Sequence, residues 1–396
     1  MARLTNEELQ QLMQAENVDR IWSYSRVSSF KTSKYEYLLH YLQNKKPDRD
    51  DSIYCVTGNL AHTILEKYHN GEIPYEKMID EFEDGFTMAY EVANLKFDRT
   101  DETKNEQQAR KYHDNLVHFF KHYTPLKNPM MEQFVKIKVG DNLLQGYIDA
   151  TVPEDDGMIH IIDFKTSSMY TGKNLISKSQ QLCLYVLGLS QAGIPIERLK
   201  ASFNFLKYAT IEYTQANKQV KSRNVERMKI GESIKNNLKM WLRKFGYTEN
   251  EIVNYCDLVS LTNSLDVLPE DVQKLYTIKD CYVEVPLSKK LIYDVVKDID
   301  MTIKDIELRE QDYYATGSDK CFWDDEDSVK KESFYFANLC EYSAQLHKPY
   351  ALYLETLEKQ KQERENGNVF NGVGSEVNDI KNGSTYDLSW LNDLAL

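Results

Sequence analysis

The first residues in this chain whose types and spacing suit chemistry are Asp163 and Lys165, at the end of the apolar run Met158-Ile-His-Ile-Ile-Asp-Phe-Lys165. The run reads as a β-strand. Residues two apart on a strand share a face, so carboxylate and ammonium project to one side. An earlier run, Leu143 to Val152, carries Asp149 and is separated from the second by the turn Glu154-Asp-Asp-Gly157. As an antiparallel neighbour it brings Asp149 to the same side. Two converging carboxylates suit a hard cation, Mg²⁺ or Mn²⁺. Phosphodiester hydrolysis needs such an ion to generate hydroxide and neutralise phosphate, and a further cation to meet developing charge or position the water. Asp149, Asp163 and Lys165 supply both. A lone Asp-x-Lys is more often an ordinary surface ion pair, so its neighbours in the sequence decide.

Those neighbours come in a fixed order. Gly146-Tyr-Ile-Asp149 precedes Ile161-Ile-Asp-Phe-Lys-Thr-Ser167, and Gln181-Leu-Cys-Leu-Tyr185 follows on a helix. Upstream stand Gly58-Asn-Leu-Ala-His62 in a G-x-x-x-H pattern and Ser23-Tyr-Ser25-Arg26-Val-Ser-Ser-Phe30 in an S-x-S-x-x-x-x-F pattern, while Glu132 introduces the first strand. Over residues 23–213 this set closely resembles the RecB-like branch of the PD-(D/E)XK nucleases. That branch includes nuclease domains of bacterial recombination helicases, CRISPR adaptation nucleases and many phage exonucleases. The resemblance implies an α/β, restriction-endonuclease-like core with a mixed central sheet flanked by helices. It also implies a metal-dependent deoxyribonuclease acting on single strands or strand ends in recombination, repair or replication, in the cytoplasm of a bacterial or phage-infected cell.

Carried over position by position, the resemblance implies that His62, Asp149, Asp163 and the main-chain carbonyl of Phe164 ligate Mg²⁺ or Mn²⁺, with Lys165 as the catalytic lysine. Gln181 and Tyr185, at i and i+4 on one helix face, resemble the pair that orients the lysine or a DNA phosphate. Glu132 either binds a second metal or steadies the site. Ser25, Arg26 and Thr166 lie inside the matching motifs and join Gln181 and Tyr185 as expected DNA contacts. His62, Glu66 and His69 also share a helix face, which would suit zinc or di-iron, but no second helix offers a partner Glu-x-x-His. Relatives with an iron–sulfur cluster carry a cysteine after the N-terminal motif and three near the C-terminus. Here Thr32-Ser33-Lys34 stands at the first position, and only Cys321 and Cys340 near the end, so no cluster is expected. Ile148 replaces the proline of the PD motif, as other RecB-like members allow.

Two other functions fit parts of the pattern. Cap-snatching RNA endonucleases also combine a helical histidine, an aspartate and a strand lysine, but lack the Gln181/Tyr185 helix. A catalytically silent DNA-binding or assembly subunit would keep the fold, although decayed sites lose residues such as Asp149, Asp163 and Lys165 first.

The surrounding elements follow from periodicity. Residues 5–20, with Thr5 and Glu8 as a capping box, and 26–44 read as helices, as do 58–68, 75–95 and 104–123. Strands are expected from Phe134 to Val139, Leu143 to Val152, Met158 to Phe164 and Ala201 to Tyr213, with a helix from Ser179 to Leu189. Residues 1–57 then form an N-terminal helical region and 58–215 the nuclease core. Residues 216–280 read as a helical, charged insertion without strand texture, 281–365 return to the core, and 366–396 are expected to form a flexible tail.

Within the insertion, Lys218 to Lys244 gathers nine basic residues, among them Arg223, Arg227 and Lys229. The stretch is either a phosphate-tracking surface or a solvated helix face. The tip at 385–396, with Trp390 and several leucines, reads as a docking peptide for a protein partner or for its own domain. With 41% hydrophobic and 28% charged residues the composition is globular, and the longest uncharged stretch, Ser179 to Ile196, is too polar for a membrane span. A net charge of −13 argues against indiscriminate coating of nucleic acid.

Overall fold

The computed structural model describes residues 3–369. Thr5 accepts a hydrogen bond from the Glu8 amide while the Glu8 carboxylate accepts from the Thr5 amide, and helix α1 (Asn6–Glu16) begins there. Strand β1 (Ile21–Ser23) follows, too short to carry a periodic signal. The helix expected over 26–44 is instead α2 (Tyr24–Thr32), α3 (Lys34–Tyr37) and a π-helical turn, Leu38–Leu42. Ser33 makes the break: its backbone is extended, and its hydroxyl accepts from the Glu36 amide to start α3. Helices α4 (Ile53–His69), α5 (Lys77–Thr87) and α6 (Glu102–Lys121) complete the N-terminal part.

Strands β2 (Met130–Val139), β3 (Asn142–Pro153) and β4 (Ile159–Lys165) form an antiparallel meander, then come α7 (Gly172–Lys178), α8 (Gln180–Gln191) and β5 (Leu199–Thr214). The stretch 216–280 differs from its sequence reading. It holds β6 (Val220–Glu226), α9 (Ile230–Lys244), α10 (Glu249–Thr262) and α11 (Glu270–Gln273), and runs into β7 (Tyr276–Glu284). Among the described residues strand β6 pairs only with β5, and it is mostly exposed, so its residues lack the apolar alternation that marks a half-buried strand. Helices α12 (Lys289–Thr316), α13 (Glu326–Lys331), α14 (Ser333–Asn338) and α15 (Lys348–Val369) close the described chain.

Together the strands make a seven-stranded mixed sheet flanked by helices, the α/β architecture that the order of elements predicts. Its main irregularity is a fork. One edge of β3 is taken up by β2 over residues 142–151, while the other is shared: residues 143–145 pair in parallel with β1, and 150–153 pair antiparallel with β4. Between these segments β3 and β4 separate, and β4 continues beside β5 through Lys165.

Strand β5 runs on past the end of β4, where β6 takes the place beside it. Its near half lies in the main apolar core, and its far half, from Ala209, packs under α9 and α10 in a second core. A bulge between Asn204 and Ala209 marks the passage from one to the other. Among the described residues no helix is long and apolar enough to cross a membrane.

Candidate active site

Asp149, at the end of the unpaired stretch of β3, replaces the missing backbone rung: its Oδ2 accepts from the Phe164 amide at 2.7 Å. Asp163 and Lys165 project on one side of β4, with Lys165 Nζ 2.9 Å from Asp163 Oδ2. Helix α4 brings His62 over the fork, its Nε2 2.8 Å from the Phe164 carbonyl oxygen and its Nδ1 3.5 Å from Asp149 Oδ2. A carbonyl can only accept, so Nε2 carries the hydrogen and the Nδ1 lone pair turns toward the Asp149 carboxylate. Burial, aided by the Lys165 charge, pushes the His62 imidazole below its usual range, which favours the neutral, ligand-competent form.

Helix α8 covers the same face because two glycines let it come close. A Cβ on Gly146 would stand 2.5 Å from the Tyr185 ring, and one on Gly188 would stand 2.9 Å from the Lys136 carbonyl oxygen. The close approach sets Gln181 and Tyr185 beside the fork, buried, with Gln181 Nε2 donating to the Tyr185 hydroxyl at 2.7 Å. Glu132 falls across from Asp149, between the paired positions Met131–Ala150 and Gln133–Ile148. Its φ of +47° is left-handed, a conformation that costs a residue with a Cβ about 1–2 kcal/mol. A cleft of about 500 Å³ opens here, lined by Ser25, His62, Glu66, Glu132, Asp149 and Tyr185 among others.

The charges at the fork do not balance. Burial and the neighbouring Asp163 hold the Asp149 carboxyl well above the ordinary range, and burial with Asp149 raises that of Glu132. Asp163 Oδ2 is buried and makes no hydrogen bond, the Lys165 ammonium beside it being an ion pair without hydrogen-bond alignment. Crowded carboxylates with one lysine between them suit a divalent cation. Among the described residues no three His, Cys, Asp or Glu side chains are grouped so as to hold an ion by themselves.

The other residues singled out in the sequence are placed variously. Ser25 reaches the cleft, its hydroxyl 2.9 Å from that of Ser23, and Thr166 is buried directly after Lys165. Arg26 is half-buried and tied into the fold: its Nε donates to the Tyr37 hydroxyl at 3.0 Å, and its guanidinium lies against Trp22 and Tyr41 and 3.5 Å from Glu310. Arg227 is a correction. It is 1% exposed, bonds Asp280 at 2.5 Å and the Leu206 carbonyl at 2.8 Å, and lies over Phe119, so no phosphate can reach it.

Of its two companions, Lys229 is exposed and pairs with Glu226 at 2.8 Å, and Arg223 lies against the Tyr213 ring. His69 bonds the Tyr123 hydroxyl at 2.7 Å, which separates it from His62, whereas Glu66 lines the cleft. Cys340 is buried and Cys321 half-buried, both free thiols. Ser33, in the stretch Thr32–Lys34, donates to Asp324 Oδ2 at 2.6 Å. The tip at 385–396 lies outside the described residues. Arg3, 3.9 Å from Glu132, lines the cleft without any signal in the sequence.

A sequence model of the PD-(D/E)XK nuclease superfamily matches residues 21–261, from β1 to the end of α10. No curated protein matches the chain. The match covers more than half of the 396 residues and includes every element of the fork, so the chain belongs to the PD-(D/E)XK nuclease superfamily.

Proposed function

We propose that this member of the PD-(D/E)XK nuclease superfamily is a RecB-like deoxyribonuclease that processes DNA strands or ends with Mg²⁺ or Mn²⁺ and without an iron–sulfur cluster. One observation carries the reading: His62, Asp149, Asp163, the Phe164 carbonyl and Lys165 converge where β3 leaves β4, with the bonded Gln181–Tyr185 pair alongside. His62, Asp149, Asp163 and the Phe164 carbonyl would hold the ion, with Glu132 joining them or buttressing Asp149. When bound, the ion supplies an activated water and neutralises the phosphate under attack.

The protein's own groups do the rest. Lys165, kept in place by Asp163, meets the negative charge that develops on the phosphate oxygens. Neutral His62 offers a lone pair without adding a cation to the site. Gln181 gives one amide hydrogen to Tyr185, keeps the second for a backbone phosphate, and offers its carbonyl oxygen to accept from the lysine. Thr166, buried behind Lys165, positions that strand end, and Ser25 offers a hydroxyl at the mouth of the cleft. The preference for DNA rests on the Gln181–Tyr185 helix, and the action on ends, in recombination, repair or replication, rests on the RecB-like pattern of motifs.

End-labelled single- and double-stranded DNA, and RNA of the same sequence, incubated with Mg²⁺, Mn²⁺ or EDTA, test the reading. Metal-dependent, EDTA-sensitive release of short products from DNA is the expected result. Faster cleavage of RNA, or intact DNA under every metal condition, would overturn it.

A further inference from the structure

A second cavity, of about 810 Å³, lies on the other side of Tyr24 from the catalytic cleft, and Tyr24 lines both. In its wall Lys31 from α2, Gln180 from the start of α8 and Asp298 from α12 meet. Lys31 Nζ and Gln180 Nε2 both donate to Asp298 Oδ2, the amide at 2.7 Å, and Lys31 also reaches Gln180 Oε1 at 3.3 Å. A cation and an amide, brought from two elements onto one anionic oxygen, form the donor set that grips a phosphate oxygen. The carboxylate they hold is open to solvent, with the Asp298 side chain 47% exposed. Gln180 directly precedes Gln181, so this cradle and the fork share one helix start. Lys34 and Ser28 carry further donors on the same wall.

We propose that Lys31 and Gln180 form a subsite for a backbone phosphate of the DNA strand engaged at the fork, and that Asp298 fills it as an internal stand-in until a strand displaces it. The proposal rests on the nucleic-acid reading above and extends the strand's path past Tyr24. An exposed carboxylate seated between two donors is held by a screened interaction, and a phosphate carrying several neighbouring charges displaces it at little cost.

The test compares Asp298→Asn with Asp305→Asn. Asp305 lines the same cavity but pairs with Arg309 at 2.9 Å, so both variants remove one negative charge and only the first releases the cradle. Binding of labelled single-stranded DNA is read by fluorescence anisotropy in Ca²⁺ at several salt concentrations, with melting curves to confirm folding. Asp298→Asn should bind roughly twofold to fivefold more tightly than Asp305→Asn, the scale of one exposed charge pair. Its log–log salt slope should match that of Asp305→Asn, because the one phosphate held by Lys31 is engaged in both. Lys31→Gln should weaken binding and flatten the slope, and it stands as the test by itself if Asp298→Asn does not fold. Equal affinities for the two aspartate variants, or an unchanged slope in Lys31→Gln, would overturn the subsite. Cleavage in Mn²⁺ reads the other assignment separately: DNA bound with these differences but never cut removes the nuclease reading and leaves the subsite.

Discussion

The fork between β3 and β4 and the bulge on β5 are both places where the sheet loses regular pairing and buries charge, and they resolve it in opposite ways. At the bulge the buried Arg227–Asp280 pair is answered on both sides. Arg227 bonds Asp280 and the Leu206 carbonyl, and the second Asp280 oxygen accepts from the Thr124 amide at 3.2 Å. At the fork, Asp149, Asp163 and Glu132 share Lys165 and the distant Arg3, and Asp163 Oδ2 is left without a hydrogen bond. A closed, balanced pair is scaffold, whereas a buried excess of one sign is a place prepared for a ligand. The same residue types therefore carry different meanings, and only the completeness of their bonding separates them.

Removing one carboxylate is the strongest way to break this contrast. Asp149→Asn or Asp163→Asn should lower DNA cleavage by at least about a hundredfold, as loss of a metal ligand removes the ion's contribution to the transition state. Stability without metal should hold or rise in Asp149→Asn, which relieves repulsion with Asp163, whereas Asp163→Asn also takes the buried partner from Lys165 and should be the less stable of the two. Lys165→Ala should lose cleavage on a similar scale yet keep Mn²⁺ binding, measured by titration calorimetry. Variants of both aspartates that kept more than about a tenth of the wild-type rate would remove the fork as the active site.

At the bulge the order is reversed. Arg227→Ala leaves Asp280 buried without its partner, which typically costs about 3–5 kcal/mol. The expected result is a large fall in the denaturation midpoint, with cleavage by the remaining folded protein unimpaired at saturating DNA. A variant of normal stability but weak DNA binding would return Arg227 to the substrate path.

How much of this was legible in the sequence depended on how local each signal was. The strands of the meander, the capping box at Thr5 and the convergence of Asp149 with Asp163 follow from alternation and spacing within short segments. Strand β1 could not be read, because three residues carry no period and its only partner, β3, lies over a hundred residues away. Strand β6 escaped notice because an exposed edge strand needs no apolar face, and with it went the burial of Arg227, which looked like one of many basic residues in a solvated helix. Composition counts charges but does not reveal which are paired. The cradle of Lys31, Gln180 and Asp298 comes from three segments far apart in the chain, and no local pattern announces it.

A third buried carboxyl, belonging to neither region, sharpens the comparison through pH. Glu36 in α3 accepts a hydrogen bond from Tyr335 in α14, and burial pushes its carboxyl up to about 7. A carboxyl raised in the folded state holds a proton that the unfolded chain releases from about pH 4 upward. Folded stability therefore falls as the pH rises from about 4 toward 7, by up to about 1.4 kcal/mol per pH unit. Glu36→Gln should remove that slope and melt higher than the wild type at pH 8. Parallel melting curves for the two proteins across this range would mean that Glu36 is already ionised in the fold.

The smallest effect is expected on the exposed side of β6, which the basic composition first suggested as the DNA surface. With Arg227 excluded, Arg223 and Lys229 are the members of that trio still able to reach a phosphate. Lys229 is 69% exposed, and its partner Glu226 also bonds Lys111, so removing the lysine leaves no carboxylate unpaired. Strand β6 continues along β5 from the point where β4 ends at Lys165, so a strand leaving the fork in that direction would pass it. If it does, Arg223→Glu with Lys229→Glu should weaken DNA binding by no more than a few-fold at moderate salt. The salt slope should flatten by about 0.7 for each phosphate of a single strand that is no longer neutralised. Thermal stability should stay within about 0.5 kcal/mol of the wild type, as for surface changes generally. An unaltered slope would take β6 out of the path and direct the strand the other way, past Tyr24 toward Lys31. A strand bound across the fork extends both ways from it, so on an oligonucleotide too short to reach both surfaces the double variant at β6 and Lys31→Gln should not both flatten the slope in full.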